Sequence, residues 1–200
     1  MQEHPQDERR TLCEQVERYI KRHPENRTTA MRLLQFVQET PTCFCREHKQ
    51  GHITGSAWLV NQQGDKALLT LHRKLRIWVQ PGGHADGDSD VLRVACREAR
   101  EESGITELCV LDSEIFDIDI HTIPARPAVG EPEHLHYDVR YLLQAAHENY
   151  IISDESDALG WFTREQILHL TPPADNATLR LAALWPETSK TVAKCDANDA

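Results

Sequence analysis

Between Gly83 and Ile105 the chain passes from a glycine-rich segment into a helix-forming stretch whose second half holds three glutamates, Glu98, Glu101 and Glu102. Side chains three and four positions apart share a helical face, so this spacing predicts one dense patch of negative charge. Left alone, such carboxylates repel and raise one another's pKa. A hard divalent cation removes that cost, because magnesium or manganese favours oxygen ligands and keeps water or substrate phosphate in its remaining positions. Arg97, next to Glu98, is placed to hold that carboxylate in a ligating orientation by a charge-assisted fork. A helix rich in Glu and Arg is more often only a solvated face laced with ion pairs. The flanking residues favour the metal site. Trp78-Val79-Gln80-Pro81-Gly82-Gly83 reads as a short apolar strand ending in a turn, with glycines that permit positive φ and close backbone approach. Ser103-Gly104-Ile105 supplies the helix stop, with Gly104 as a left-handed cap.

Taken together, Gly83, Arg97, Glu98, Ala99, Glu101, Glu102, Gly104 and Ile105 match a longer pattern: glycine, five residues, glutamate, seven residues, then Arg-Glu-apolar-any-Glu-Glu-any-Gly-apolar. The segment resembles the Nudix box. One position departs, since Ser89 stands where the pattern has its early glutamate, between Asp88 and Asp90. The resemblance implies an α/β/α sandwich with a mixed sheet. It also implies a divalent ion, Mg2+ or Mn2+, held by Glu98, Glu101, Glu102 and a backbone carbonyl near Gly82. The hydrolytic base would be Glu102 or, by analogy with a loop glutamate of some relatives, Glu155. The alternating aspartates Asp86, Asp88 and Asp90 do not form a calcium loop, because Val91 falls where the turn glycine belongs and Arg97 where the bidentate glutamate belongs. They are expected to cap the helix instead.

A chain of 200 residues at 40% hydrophobic can build one sizeable core. The net charge of -10 argues against nonspecific nucleic-acid binding, which needs basic surface to displace phosphate counterions. A small anionic substrate stays compatible, because a bound metal inverts the local sign. No apolar run approaches membrane-spanning length, and the first residues lack the basic and apolar regions of a signal peptide. These features point to a cytoplasmic protein whose six cysteines are reduced. Cys43, Cys45, His48 and His52 lie close together, but the Cys-x-Cys spacing is tighter than a zinc knuckle and no second cysteine pair follows.

Three segments are expected: a helical extension over 1–49, a Nudix-like domain over 50–185 and a polar tail over 186–200. In the extension, Leu12, Val16, Tyr19 and Ile20 recur at helical spacing with Thr11 and Glu14 placed as a capping box, and Ala30, Leu33, Leu34 and Val37 repeat the pattern after His23-Pro24. Packing of these helices on the core is the preferred reading. Residues 52–61 and 66–72 predict a hairpin around Gln-Gln-Gly-Asp. Strands follow over 107–111, around Phe116, Ile118 and Ile120, and over 134–145; Thr163 and Gln166 cap a short helix ending near Leu170, and 174–185 forms a last one.

The reading that accounts for most residues is a metal-dependent hydrolase of a diphosphate linkage in a nucleoside diphosphate derivative or similar metabolite. Catalytic candidates are Glu102, Glu101, Arg97 and Glu155. Substrate candidates are Arg126, which is suited to gripping a phosphate, and His134 and His136, which alternate with Asp138 along one strand face. Trp58 and Trp78 fit the core better than a base-stacking role. The expected partner is a small diphosphate compound, with no nucleic acid or membrane, and a homodimer is left open. The competing reading is a noncatalytic metabolite sensor; it has no need for three metal carboxylates.

Overall fold

A computed structural model describes residues 5–73, 76–152, 156–172 and 175–186. Its helices are α1 (Pro5–Arg22), α2 (Arg27–Glu39), α3 (Val91–Ser103), α4 (Arg164–Leu170) and α5 (Asn176–Leu184). Its strands are β1 (Gly51–Val60), β2 (Lys66–His72), β3 (Trp78–Val79), β4 (Gly82–His84), β5 (Leu108–Val110), β6 (Asp117–Ile123), β7 (His134–Ala145) and β8 (Ser156–Thr163). One eight-stranded sheet runs β3-β2-β1-β7-β5, with β4 paired to β1, β6 to β7 and β8 to β2. This is the mixed α/β architecture expected, with helices at the N-terminal side of the chain.

The chain divides into two compact units that interleave along the sequence. The first comprises Met1–Gly55, Gly83–Ala95 and Glu114–Tyr141. In it the apolar stripes of α1 and α2, including Leu12, Val16, Tyr19, Ala30, Leu33 and Val37, share a buried cluster with Ile53, Val94, Ile118, Val139 and Tyr141. The N-terminal helices therefore pack on the core, which is how amphipathic helices gain stability beyond propensity. The capping box predicted at Thr11 and Glu14 is not formed, because α1 already begins at Pro5 and Thr11 lies in its interior. A proline is well suited to a helix start, where its missing N–H is no loss.

This unit also buries charge. Arg140, 2% exposed, donates from Nε to Asp138 at 2.7 Å and from Nη1 to Asp117 at 2.9 Å. Thr54 donates to the other Asp138 oxygen at 2.9 Å, and Tyr19 to Asp117 at 3.4 Å. Burial disfavours the Arg140 charge, but the surrounding carboxylates outweigh it and hold its pKa above the ordinary value. The register of β6 on β7, with Asp117 opposite Arg140 and His121 opposite His136, brings these groups together.

The second unit comprises Ser56–Gly82, Cys96–Ser113 and Leu142–Ala200. Its β2 pairs antiparallel with β8 from Lys66↔Thr163 to His72↔Ser156. Trp58 is fully buried, edge-on to Trp185, and Trp78 meets Phe162 edge-on at 4.7 Å, so both tryptophans serve packing. The Thr163–Gln166 capping box at α4 is present in both directions. Cys13, Cys43, Cys45 and Cys96 form no disulfide, but Cys109 is disulfide-bonded, against the expectation that all six cysteines are reduced, and Cys195 lies outside the described residues. Among the described residues no helix is long and apolar enough to cross a membrane.

Candidate functional site

The Gly82-Gly83 segment is a strand rather than the turn expected from its composition: β4 pairs with β1, and neither glycine has positive φ. What glycine supplies at 82 is proximity. A Cβ there would lie 2.1 Å from Ser56 Oγ and 2.9 Å from Ser56 Cα, so only a residue without a side chain fits. The chain then turns through Asp86 and Gly87, both at positive φ, into α3. Asp90 accepts from the Arg93 amide at 3.0 Å and caps the helix as predicted, whereas Asp88 accepts from the Asp90 amide at 2.9 Å just ahead of it and Asp86 pairs with Arg46. Gly104, at φ 69°, ends it.

Glu98, Glu101 and Glu102 all lie on the last turns of α3; the first two share Arg97 and the third bonds β4. Arg97 Nη2 donates to Glu98 Oε1 at 2.7 Å, and Arg97 Nε lies 3.9 Å from Glu101 Oε1. Glu98 is mostly buried while Glu101 is 62% exposed. Glu102 Oε1 accepts from the Gly82 amide at 2.9 Å, which fastens the end of the helix to β4. Arg97 thus bonds its neighbour Glu98 through one N–H rather than the expected fork, and the three carboxylates are not drawn to a single point. Among the described residues, one group of three potential ligands does converge, and it consists of histidines.

His52 on β1, His84 on β4 and His136 on β7 place one ring nitrogen each within 4.8 Å of one another. His134 Nε2 lies 3.3 Å from His136 Nε2. Burial, reinforced by the neighbouring imidazoles, pushes His52 down to about 4 and His136 to about 2. His84 is lowered as well, again chiefly by burial. The pairing of His134 and His136 was legible in their alternation along β7; His52 and His84 were not, because they come from strands distant in sequence. The remaining substrate candidate, Arg126, is paired with Glu131. Glu155 lies outside the described residues. The Cys43, Cys45, His48 and His52 set does not converge; His48 Nδ1 is bonded to the Gly51 carbonyl at 2.8 Å.

Comparison with known proteins identifies the fold on which this helix sits. The family model of the NUDIX domain matches residues 52–182. The chain belongs to the NUDIX family of hydrolases. Two curated relatives are named m7GpppN-mRNA hydrolase NUDT17. The one from Danio rerio is 29% identical over 51% of this chain and 36% of its own length, and that from Xenopus laevis is 28% identical over 64% of this chain and 47% of its own. The chain therefore spans half or less of these relatives. Among solved structures, a MutT NUDIX hydrolase from Burkholderia pseudomallei shares the fold at TM-score 0.51 and 24% identity, covering 68% of this chain and 99% of that one. A NUDIX-family hydrolase from Clostridium perfringens does so at TM-score 0.50 and 22% identity, covering 67% and 95%.

Proposed function

We propose that this NUDIX-family chain hydrolyses a diphosphate linkage in a nucleoside diphosphate derivative or related metabolite, with Mg2+ or Mn2+ as cofactor. The observation that carries this reading is the intact Arg-Glu-x-x-Glu-Glu set at the end of α3, with Glu102 anchored to the Gly82 amide and Arg97 bonded to Glu98. The donor set fits a hard divalent ion, since Glu98, Glu101, Glu102 and the Gly82 carbonyl offer oxygen only. Such an ion, when bound, offsets charge on the diphosphate and acidifies water.

The chain's own residues supply orientation. Arg97 fixes Glu98 and lies 3.9 Å from Glu101. The Gly82 amide restrains one oxygen of Glu102. A base must stand within hydrogen-bond reach of the attacking water; Glu102 and Glu155 are the candidates. Arg126 would grip a phosphate only by exchanging Glu131 for it. The names of the curated relatives, m7GpppN-mRNA hydrolases, favour a phosphoanhydride attached to a nucleoside. The acidic balance of the chain favours a small compound over a long polynucleotide.

A panel of nucleoside diphosphate derivatives, dinucleoside polyphosphates and cap analogues, assayed for released phosphate products with magnesium or manganese, tests the proposal. Glu101→Gln and Glu102→Gln are each expected to lower the rate at least ~100-fold, the scale seen when one catalytic charge contact is removed. Tight nucleotide binding without turnover across the panel would favour the sensor reading instead.

A further inference from the structure

We infer that His52, His84 and His136 form a second metal site, a three-imidazole centre for a divalent transition ion of the zinc class, separate from the carboxylate set of α3. It rests on histidines of the first unit alone and needs no part of the hydrolase reading.

The first observation is convergence. The three ring nitrogens lie within 4.8 Å of one another. With metal–nitrogen bonds of about 2.0–2.1 Å, tetrahedral donors stand about 3.3 Å apart. The rings thus need to close by about 1.5 Å or less, which small χ rotations supply. They come from three strands, β1, β4 and β7, whose positions the sheet fixes.

The second observation is an orphaned imidazole. His52 is 3% exposed, and neither of its ring nitrogens has a hydrogen-bond partner; the His48 backbone makes only a minor favourable interaction with it. Buried polar atoms are nearly always satisfied, and leaving one unmade costs more than a typical hydrogen bond contributes. Ligation would satisfy one nitrogen of His52.

Third, the surroundings resemble those of a ligating histidine set. His134 packs against both His52 and His136, with ring centroids at 5.0 and 5.2 Å. Its Nδ1 lies 3.0 Å from the Pro132 carbonyl, which can only accept, so that nitrogen carries the proton. A histidine whose tautomer is fixed by a carbonyl in this way presents its other nitrogen inward, and here Nε2 meets His136. Two carboxylates border the set, each also engaged by an arginine: Glu131, 3.7 Å from His134, is paired with Arg126, and Asp119, 3.0 Å from His121, whose ring packs on His136, lies 3.5 Å from Arg140. Imidazole donors suit zinc, cobalt, nickel or copper, whereas magnesium and manganese prefer the oxygen set. The two sites would therefore sort different metals within one chain.

The test is a cobalt(II) titration of the chelator-stripped full chain in millimolar magnesium, followed by visible absorption. We expect one equivalent to bind, with the d–d bands of nitrogen-ligated, low-coordinate cobalt and no thiolate charge-transfer band. His52→Gln, His84→Gln and His136→Gln should each weaken cobalt binding at least ~10-fold, while Glu101→Gln leaves it unchanged. Circular dichroism establishes that each variant is folded; should His52→Gln not fold, the half-buried His84→Gln decides. No cobalt uptake by the wild type, a thiolate band, or unchanged affinity in the folded histidine variants would overturn the inference. Equal loss in Glu101→Gln would do so too, by tracing the cobalt to α3.

Discussion

The backbone amide of Gly82 donates to Glu102 Oε1 at 2.9 Å, tying the last turn of α3 to β4 across a separation of 20 residues. A glutamine at 102 retains a carbonyl oxygen and can keep this bond, so Glu102→Gln removes charge while preserving the anchor. Hydrolysis is expected to fall at least ~100-fold with the melting temperature changed little. Steady-state kinetics and a thermal melt on the same preparation check this, and a large drop in melting temperature would reassign Glu102 to a structural role.

Gly82 itself makes a different demand. Its missing side chain leaves room for Ser56, whose Oγ would stand 2.1 Å from a new Cβ. Gly82→Ala is expected to destabilise the fold by about 1–3 kcal/mol, the range for overpacking, and to reduce activity by moving the amide away from Glu102. Removing the serine hydroxyl should not rescue it, because Ser56 Cβ and Cα would still lie 2.7 and 2.9 Å away. Urea unfolding of Gly82→Ala and of Gly82→Ala/Ser56→Ala measures both claims.

These two residues show how far local pattern reaches. The hairpin, the caps at Asp90 and Thr163, the stop at Gly104 and the Arg97–Glu98 pair were legible because each is decided within a few residues of itself. The Pro-Gly-Gly segment was misread as a turn because its pairing to β1 is decided by residues well upstream. Helical positions alone place the carboxylates in one patch, yet the amide that donates to Glu102 lies on β4 and Arg97 engages the other two. The same limit hid the histidine cluster, whose members are separated by 32 residues and more and meet only through sheet register. Periodicity shows which face a side chain takes, not what another strand places opposite it.

Cys43 offers a pH test inside the first unit. Burial pushes its thiol up to about 12, against the opposing pull of Arg9, from an ordinary value of 9.0. The folded thiol should resist iodoacetamide at pH 8.5 while the urea-unfolded chain reacts, since the thiolate is the nucleophile. The linkage has a definite sign. The unfolded chain releases the Cys43 proton first, so this contribution to stability is complete below about pH 9 and is lost as pH rises toward 12. Urea midpoints at pH 8 and pH 10 for wild type and Cys43→Ala isolate it: the alkaline loss should be smaller in the variant.

Arg140 sets the largest expected stability effect. Its guanidinium is 2% exposed and is ion-paired with both the fully buried Asp117 and the nearly buried Asp138. Arg140→Met would keep the volume and remove the charge, leaving two carboxylates in a site with little water. Breaking a buried ion pair from one side costs about 3–5 kcal/mol, because the stranded charge must be desolvated without a partner. Arg140→Met/Asp117→Asn/Asp138→Asn, which removes all three charges, should recover part of that loss. It keeps an acceptor for Thr54 at 138 and for Tyr19 at 117. Urea unfolding of the single and triple variants distinguishes the outcomes. A triple variant no more stable than Arg140→Met would show that the geometry of the guanidinium, rather than uncompensated charge, holds β6 and β7 in register.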